Sequence, residues 1–312
     1  NMVENKMADA HWWIELMERG GKIVNIAPEY SPASQKSDYW LSVRPGTDVA
    51  LFLGVAKILL DSGQYDSDFV KKFTDLPLLV RGDTLKLLRA AEVIPGYSNK
   101  KLENYTDIQE ISEELREKWG DFLVWDVREG VAKAVTRDDV GERYSELNIN
   151  PALEGTFKVK TLDGKEVEVK PIFQLYKEVS SEYDLDTVAA VTGSPKDRIQ
   201  QLAADLGTIK PAAIHTGEGT NHYFHNDLKD RIGWFVLALN GNVGKPGSNK
   251  GHWAGNYKHA VFGVGLLPWV SEDPFNINLD PNIDGKDTNI RVTYGKEEPC
   301  FWNYGDQPLV VN

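Results

Sequence analysis

The strongest pattern in the chain is Val49–Leu60, apolar on nearly every face with Lys57 its single charge, which predicts a helix buried on all sides. Thr47 is placed to cap its start and Gly63 lies beyond its end. Upstream, Trp12, Trp13, Ile14 and Leu16 fall into a helical pattern over Ala10–Arg19 that demands a core to pack against. Gly20-Gly21 ends that helix, and Lys22–Ala27 reads as a short buried strand closed by Pro28. Turn residues at Pro28, Ser31, Pro32 and Ser34 lead to a short extended piece, Asp38–Val43. A second section of the same kind runs through helix Ile172–Val179, Ser194 as cap with Pro195 in the first turn of helix Lys196–Leu206, strand Ala212–His215 and helix Asp227–Leu239.

Between the two sections the pattern weakens. Charged helical runs such as Ile108–Lys118 predict an inserted helical lobe, and Asp163-Gly164 between Phe157–Lys160 and Val167–Val169 predicts a β-hairpin with a two-residue turn. The chain therefore divides into a first α/β section (1–75), an insertion (76–155), a hairpin (156–170), a second α/β section (171–265) and an irregular tail rich in Asp, Asn and Pro (266–312), with one strand at Ile290–Tyr294. Each α/β section sends a turn-rich loop from the carboxyl end of a strand. That predicts an α/β fold of open, parallel, Rossmann-like sheet with its ligand along that edge.

Composition narrows the functions. The chain has 312 residues and is 41% hydrophobic, enough for about two domains with a sizeable core. Its 35 basic and 47 acidic residues give −12, which repels a phosphate backbone and excludes nucleic acid as the main partner. Nine Trp and twelve Tyr suit a packed interior or an extensive interface. The lone Cys300 can build neither a disulfide framework nor a cysteine-ligated zinc or iron–sulfur site. Val49–Leu60 is far short of the ~20 residues that span a bilayer. No basic-then-apolar leader opens the chain, and its first helix begins at once, which reads as an internal piece of a longer polypeptide.

Three glycine-bearing loops could carry chemistry. Gly217-Glu218-Gly219-Thr220-Asn221-His222 leaves a strand, where glycines let backbone amides approach a pyrophosphate. His222 stands where a nicotinamide fingerprint needs its last glycine. Gly241-Asn242-Val243-Gly244-Lys245-Pro246-Gly247 has a Gly-Lys pair, but Pro246 replaces the magnesium-holding hydroxyl of a P-loop. Each loop alone reads as a tight turn; together on one sheet edge they favour a large anionic ligand. Asp48, beside Gly46, reads either as a carboxylate at a helix N-terminus or as an acceptor for the two N–H groups of a guanine edge. His215, His222, His225 and His252 lack a carboxylate or thiolate at ligand spacing, so no metal is assigned to them. Asp280–Gly285 copies half a calcium loop but has Arg291 at the twelfth position, and is rejected.

The run GGKIVNIAPEYSPASQKSDYWLSVRPGTDVAL resembles the segment of the dimethyl-sulfoxide-reductase family that holds one molybdopterin guanine dinucleotide, and IHTGEGTNHYFHNDLKDRIGWFVLALNGNVGKPGSNKGHWAGNY resembles its later glycine-rich loops. FTDLPLLVRGDT is closest to the nitrate-reductase-like branch, which includes nitrite oxidoreductases, perchlorate, chlorate and selenate reductases and ethylbenzene dehydrogenase. The resemblance implies a molybdenum bis-(molybdopterin guanine dinucleotide) cofactor performing oxygen-atom transfer between nitrite and nitrate. It also implies an iron–sulfur cluster and molybdenum ligand upstream, an iron–sulfur electron-transfer subunit, a haem or membrane subunit, and a periplasmic location. Carried over by position, Asn1 and Met2 match the end of a pterin-contacting turn, Ala27, Glu29 and Ser31 the turn after the first strand, and Gly46, Thr47 and Asp48 a guanine and ribose contact. Gly217, Glu218, Asn221 and His222 match pterin-facing positions, and Trp253 and Asn256 a cofactor-facing loop, with Gly255-Asn256 where relatives commonly have Gly-Gln. No catalytic residue is assigned. A nucleotide-binding module without redox work is the expectation of another class.

Overall fold

The computed structural model describes residues 7–102, 113–221, 223 and 226–252. The tail with its strand at Ile290–Tyr294, Cys300 and the calcium-like loop lie outside the described residues.

The first section contains α1 (Met7–Glu18), β1 (Val24–Ala27), α2 (Pro32–Lys36), β2 (Tyr39–Ser42), α3 (Asp48–Asp61) and α4 (Ser67–Phe73). The insertion holds β3 (Leu79–Arg81), α5 (Glu113–Trp119), β4 (Phe122–Asp126), β5 (Val131–Val135) and α6 (Arg143–Glu146), followed by β6 (Phe157–Lys160) and β7 (Glu166–Pro171). The second section holds α7 (Ile172–Ser180), α8 (Leu185–Thr192), α9 (Lys196–Thr208), β8 (Ala213–Thr216), α10 (Asn226–Leu239) and β9 (Asn249–His252).

The apolar run at α3 behaves as its pattern demands. Leu51, Val55 and Leu59, four residues apart, are fully buried along one side, and Phe52, Ala56 and Leu60 are buried beside them. α7, α8, α9 and α10 all pack on this helix, so one cluster gathers Leu51, Phe173, Val188, Ile199, Val236 and Leu239. Gly54 lets α8 come close: a Cβ there would lie 2.6 Å from Val188 Cγ2. Burying a Leu or Phe side chain is worth roughly 1.5–3 kcal/mol, so these positions dominate the section's stability.

α1 departs from expectation. Trp12, Ile14, Leu16 and Met17 are exposed and join none of the core clusters among the described residues, so the core that their pattern demands is not supplied there. β1, expected to be buried, is half-buried throughout.

The chain is α/β, with its parallel pairing in small sheets rather than one continuous one. β1 and β2 are parallel, with Ala27 opposite Ser42 at their carboxyl ends. β8 pairs with β9 in a separate two-stranded sheet. A Cβ on Gly247 would meet Pro211, and one on Gly251 would meet His215, so β9 runs alongside β8 in the same direction and β8–α10–β9 forms a crossover unit.

The insertion contains the short helices α5 and α6 and adds strands that its pattern did not reveal. β4 and β5 form an antiparallel ribbon, and β3 joins the hairpin as β3-β7-β6, burying Leu79, Leu88, Leu123, Val159, Val167 and Val169. The hairpin itself turns on three residues. Thr161 N–H bonds Lys165 O at 2.9 Å, leaving Leu162, Asp163 and Gly164 in the loop, with only Gly164 at positive φ (+86°). The extra residue follows from Thr161, whose hydroxyl binds Asp163 and Lys165 O and so closes the loop one residue earlier.

Two capping expectations also change. Thr47 occupies the N-cap of α3, but its hydroxyl donates back to Arg44 O at 2.7 Å instead of accepting from the helix. Pro195, not Ser194, caps α9; the Ser194 hydroxyl donates to Ser42 O at 2.6 Å, tying the last carbonyl of β2 to the second section.

Candidate functional site

The carboxyl ends of β1 and β2 lead into two turns that the local sequence holds in shape. After β1, the buried Ser34 hydroxyl accepts from Asn25 Nδ2 at 2.8 Å and from Ser31 N–H at 3.2 Å, and it donates to Glu29 O at 3.4 Å, closing the Ala27–Ser31 turn. Trp40 Nε1 donates to Ala27 O at 2.9 Å and meets Tyr30 edge-on at 5.4 Å. After β2, Arg44 N–H donates to Thr192 O at 2.7 Å while its guanidinium donates to Val191 O. The C-terminus of α8 thereby anchors the turn Arg44-Pro45-Gly46-Thr47, which closes with Thr47 N–H on Arg44 O at 3.1 Å.

Gly46 has φ +81°, and a Cβ on it would lie 3.1 Å from the Tyr223 ring. The turn after β2 therefore touches the segment after β8. Gly46→Val is expected to lower stability by about 2 kcal/mol, because a β-branched residue at positive φ adds strain and its side chain displaces Tyr223. Urea titration of the purified subunit checks this; Gly46→Asn, tolerated in the left-handed region, should lose less.

Asp48 opens α3, half-buried. Burial pushes its carboxyl above the ordinary carboxylate value, and a backbone hydrogen bond and Lys229 work against that rise. Lys229 sits in the first turns of α10 and is buried at 6% exposure, with its Nζ 3.8 Å from Asp230 Oδ2. Burial draws this ammonium below the ordinary lysine value, Lys250 adds to the effect, and Asp230 and Asp48 oppose it. Lys250, buried on β9, forms an ion pair with Asp230 Oδ1 and donates to Thr216 Oγ1 at 3.0 Å. Two lysines and two aspartates thus share the edge where β8 and β9 end and α3 and α10 begin. Sequence reasoning missed Lys229, Asp230, Lys250 and Tyr223. Nothing in the run Asn226-Asp227-Leu228-Lys229-Asp230-Arg231 separates Lys229 and Asp230 from a solvated helix start.

Of the residues predicted for a site, Ala27, Glu29, Ser31, Gly46, Thr47 and Asp48 lie in these carboxyl-end turns. Among the described residues no atom lies within 4 Å of where a Cβ on Gly217 or Gly219 would stand, and Thr220 closes the turn on Gly217 O at 2.9 Å. Glu218 and Asn221 bound that 3-10 turn. Asn1, Met2, His222, Trp253 and Asn256 lie outside the described residues, as does His225.

The Gly241–Gly247 loop is a correction: it does not share this edge. It follows the far end of α10, ~20 Å along the helix from the first turns. A Cβ on Gly241 would meet Asp66, beyond the C-terminus of α3, and Gly247 packs on Pro211, before β8 begins. Gly241, Gly244 and Gly247 all take positive φ, so the glycines serve the reversal from helix to strand. Among the described residues no three His, Cys, Asp or Glu groups gather as metal ligands.

Helix N-termini and open glycine turns gathered at strand carboxyl ends are the arrangement at which open α/β sheets hold large ligands. The chain belongs to the molybdopterin oxidoreductase family, whose profile matches residues 1–301. It is 34% identical over 280 residues to perchlorate reductase subunit alpha of Dechloromonas aromatica, covering 83% of this chain and 28% of that protein. It is 30% identical over 263 residues to respiratory nitrate reductase subunit alpha of Haloferax mediterranei, covering 84% of this chain and 26% of that one. The chain spans about a quarter of the length of these curated relatives. Acetylene hydratase from Pelobacter acetylenicus superposes with a TM-score of 0.38 at 18% identity, over 72% of this chain and 18% of that one.

The residues present fit a pterin cofactor of the family's kind. Gly217 and Gly219 leave space for backbone amides to approach a ligand, and Asp48 offers a planar acceptor beside the cradle of Gly46 and Tyr223.

Proposed function

We propose that this chain is part of the catalytic subunit of a molybdenum oxidoreductase that interconverts nitrite and nitrate. The observation that carries this reading is the contact of Tyr223 with Gly46. It joins the turn before Asp48 to the glycine turn after β8, in a chain of molybdopterin oxidoreductase family. The molybdenum of a bis-(molybdopterin guanine dinucleotide) would supply oxygen-atom transfer when bound. This chain's own work is binding and orientation. The Asp48 carboxylate accepts the N–H donors of a guanine, the backbone at Gly217 and Gly219 approaches the pyrophosphate, and the turn at Ala27–Ser31 borders the same edge. An iron–sulfur electron-transfer subunit, a haem or membrane subunit and a periplasmic location complete the proposal; the relatives' names as alpha subunits support further subunits.

A second reading, chlorate or perchlorate reduction by the same chemistry, is favoured by the 34% identity to a perchlorate reductase subunit. Assay of the complete subunit with nitrite and an artificial electron acceptor is expected to give nitrate. Chlorate or perchlorate reduction without nitrite turnover would transfer the assignment to the second reading. A purified complex holding a nucleotide but neither molybdenum nor pterin would leave only a binding module.

A further inference from the structure

The glycine turn after β8 has little within it to hold its shape. Gly217 and Gly219 bring no side chains, and the bond of Thr220 Oγ1 to Gly217 O at 2.9 Å closes it. Glycine loses more backbone freedom on ordering than any other residue, so a turn of this make-up depends on how its base is anchored. The base is Thr216, the last residue of β8. Its hydroxyl accepts from Lys250 Nζ at 3.0 Å and donates to Asp230 Oδ1 at 3.4 Å, and Lys250 forms its ion pair with the same carboxylate oxygen. One point thus joins β8, β9 and α10. Lys250 is built into it: its side chain is 2% exposed, and its stem passes beside Gly233, where a Cβ would lie 3.1 Å from Lys250 Cε. α10, which carries Asp230, also borders the Glu218–Asn221 turn that Thr216 leads into.

We infer that Thr216 is a positioning residue for the ligand of this edge: its hydroxyl, held between Lys250 and Asp230, fixes the base of the Gly217–Asn221 turn so that the backbone N–H groups of the turn face an anionic ligand. A buried ion pair often adds no more stability than apolar side chains of the same volume, so a lysine enclosed here serves direction more than strength. Direction is what a backbone cradle needs. An N–H group binds well only when it points at its acceptor, and a turn ordered before the ligand arrives costs less to engage.

The inference rests on the proposed cofactor, so its test separates the two. In purified holoenzyme, hydrogen–deuterium exchange of the Gly217–Asn221 amides would be followed by mass spectrometry, and pterin release would be timed during dialysis against dilute urea. Thr216→Val nearly keeps the shape of the side chain and leaves the Lys250–Asp230 pair, but it ends the hydroxyl tie. Its turn amides and its pterin are expected to exchange and leave about tenfold faster than in wild type, the change that follows from losing a hydrogen bond to a charged group. The amides of α3 should keep their wild-type rates, because only a general loss of stability would speed them too. Thr216→Ser, which restores the hydroxyl, should restore both slow rates. Wild-type rates in the Thr216→Val turn, equal acceleration in α3, unchanged pterin release, or no recovery in Thr216→Ser would overturn the inference. If Thr216→Val does not accumulate, Lys250→Met decides, and the same local acceleration is required of it. Wild-type holoenzyme without pterin would overturn the cofactor reading itself, and the inference with it.

Discussion

Replacing Asp230 with Ala is expected to destabilise the second section by about 3 kcal/mol, more than any single loss on the surface. Lys250 and Lys229 have side chains only 2% and 5% exposed, and Asp230 is the acid that both approach. Removing it leaves two ammonium groups without that counter-charge, with Lys250 still donating to Thr216 Oγ1 at 3.0 Å. Breaking a buried ion pair from one side typically costs 3–5 kcal/mol. The lower end applies because Asp230 is itself 39% exposed, so water can partly replace it. Urea denaturation of the purified subunit measures the loss. Asp230→Ala combined with Lys250→Met should recover much of it, since the double change removes one stranded charge along with the acid. A single-variant loss below about 1 kcal/mol would show that the lysines do not depend on this acid.

Asp121→Ala is expected to open the insertion while leaving the α3 core in place. Asp121 is buried at 2% exposure between α5 and β4. Its carboxylate accepts from Tyr97 Oη at 2.7 Å and from Lys100 N–H at 3.0 Å, and it pairs with Arg116. The alanine variant removes the counter-charge of the Arg116 guanidinium, whose side chain is 12% exposed and which keeps the carbonyls of Lys100 and Gly120 as acceptors, and it deprives two further donors of their acceptor. The expected cost is about 3–5 kcal/mol, borne by the insertion because its cluster of Leu79, Leu88 and Leu123 is separate from that around α3. Limited trypsin digestion should cut first at Lys100, Lys101 or Arg116, at a rate raised at least tenfold, a change worth 1.4 kcal/mol or more in opening. Asp121→Asn, which still accepts two of the bonds, should show a smaller rise. Equal cleavage in both variants and wild type would sink this account.

What could be seen in the sequence followed local rules. α3 is apolar all round because other helices enclose it, and that needs no knowledge of distant residues. α10 and β8 were placed within a residue or so for the same reason. Two helices were overlooked although their signals were present. Asp184 caps α8 by accepting from Thr187 N–H at 2.7 Å, Gly193 ends it at φ +72°, and Asp66 caps α4 through Phe69 N–H at 2.9 Å. β3 was hidden for a different reason. Its partner β7 lies about ninety residues away, with Leu79 opposite Pro171, and a three-residue strand has too few positions to alternate visibly.

The site was legible in part. Gly46 and Asp48 stood out because a positive-φ glycine beside a helix start is a local feature. Lys229 and Lys250 did not, because a lysine destined for burial looks the same in sequence as one bound for solvent; the packing of β9 against α10 encloses them. The Gly241–Gly247 loop misled for the converse reason. Its glycines report backbone reversal, and composition alone does not say at which end of a helix a turn will stand.

The pairing of β3 with β7 has a consequence for how the insertion can change. The chain leaves the α-helical body at Leu76–Leu78 and returns at Ile172 and Phe173, which donate to Leu78 O and Leu76 O at 3.0 and 2.9 Å. Departure and return are stitched together like the two sides of a buttonhole. Most of the segment between them gathers round its own hydrophobic centre, so its far strands can be lengthened or trimmed while the stitched rim, with Leu153 in the α3 cluster and Gly141 N–H on Lys72 O, keeps the segment fastened to the helices.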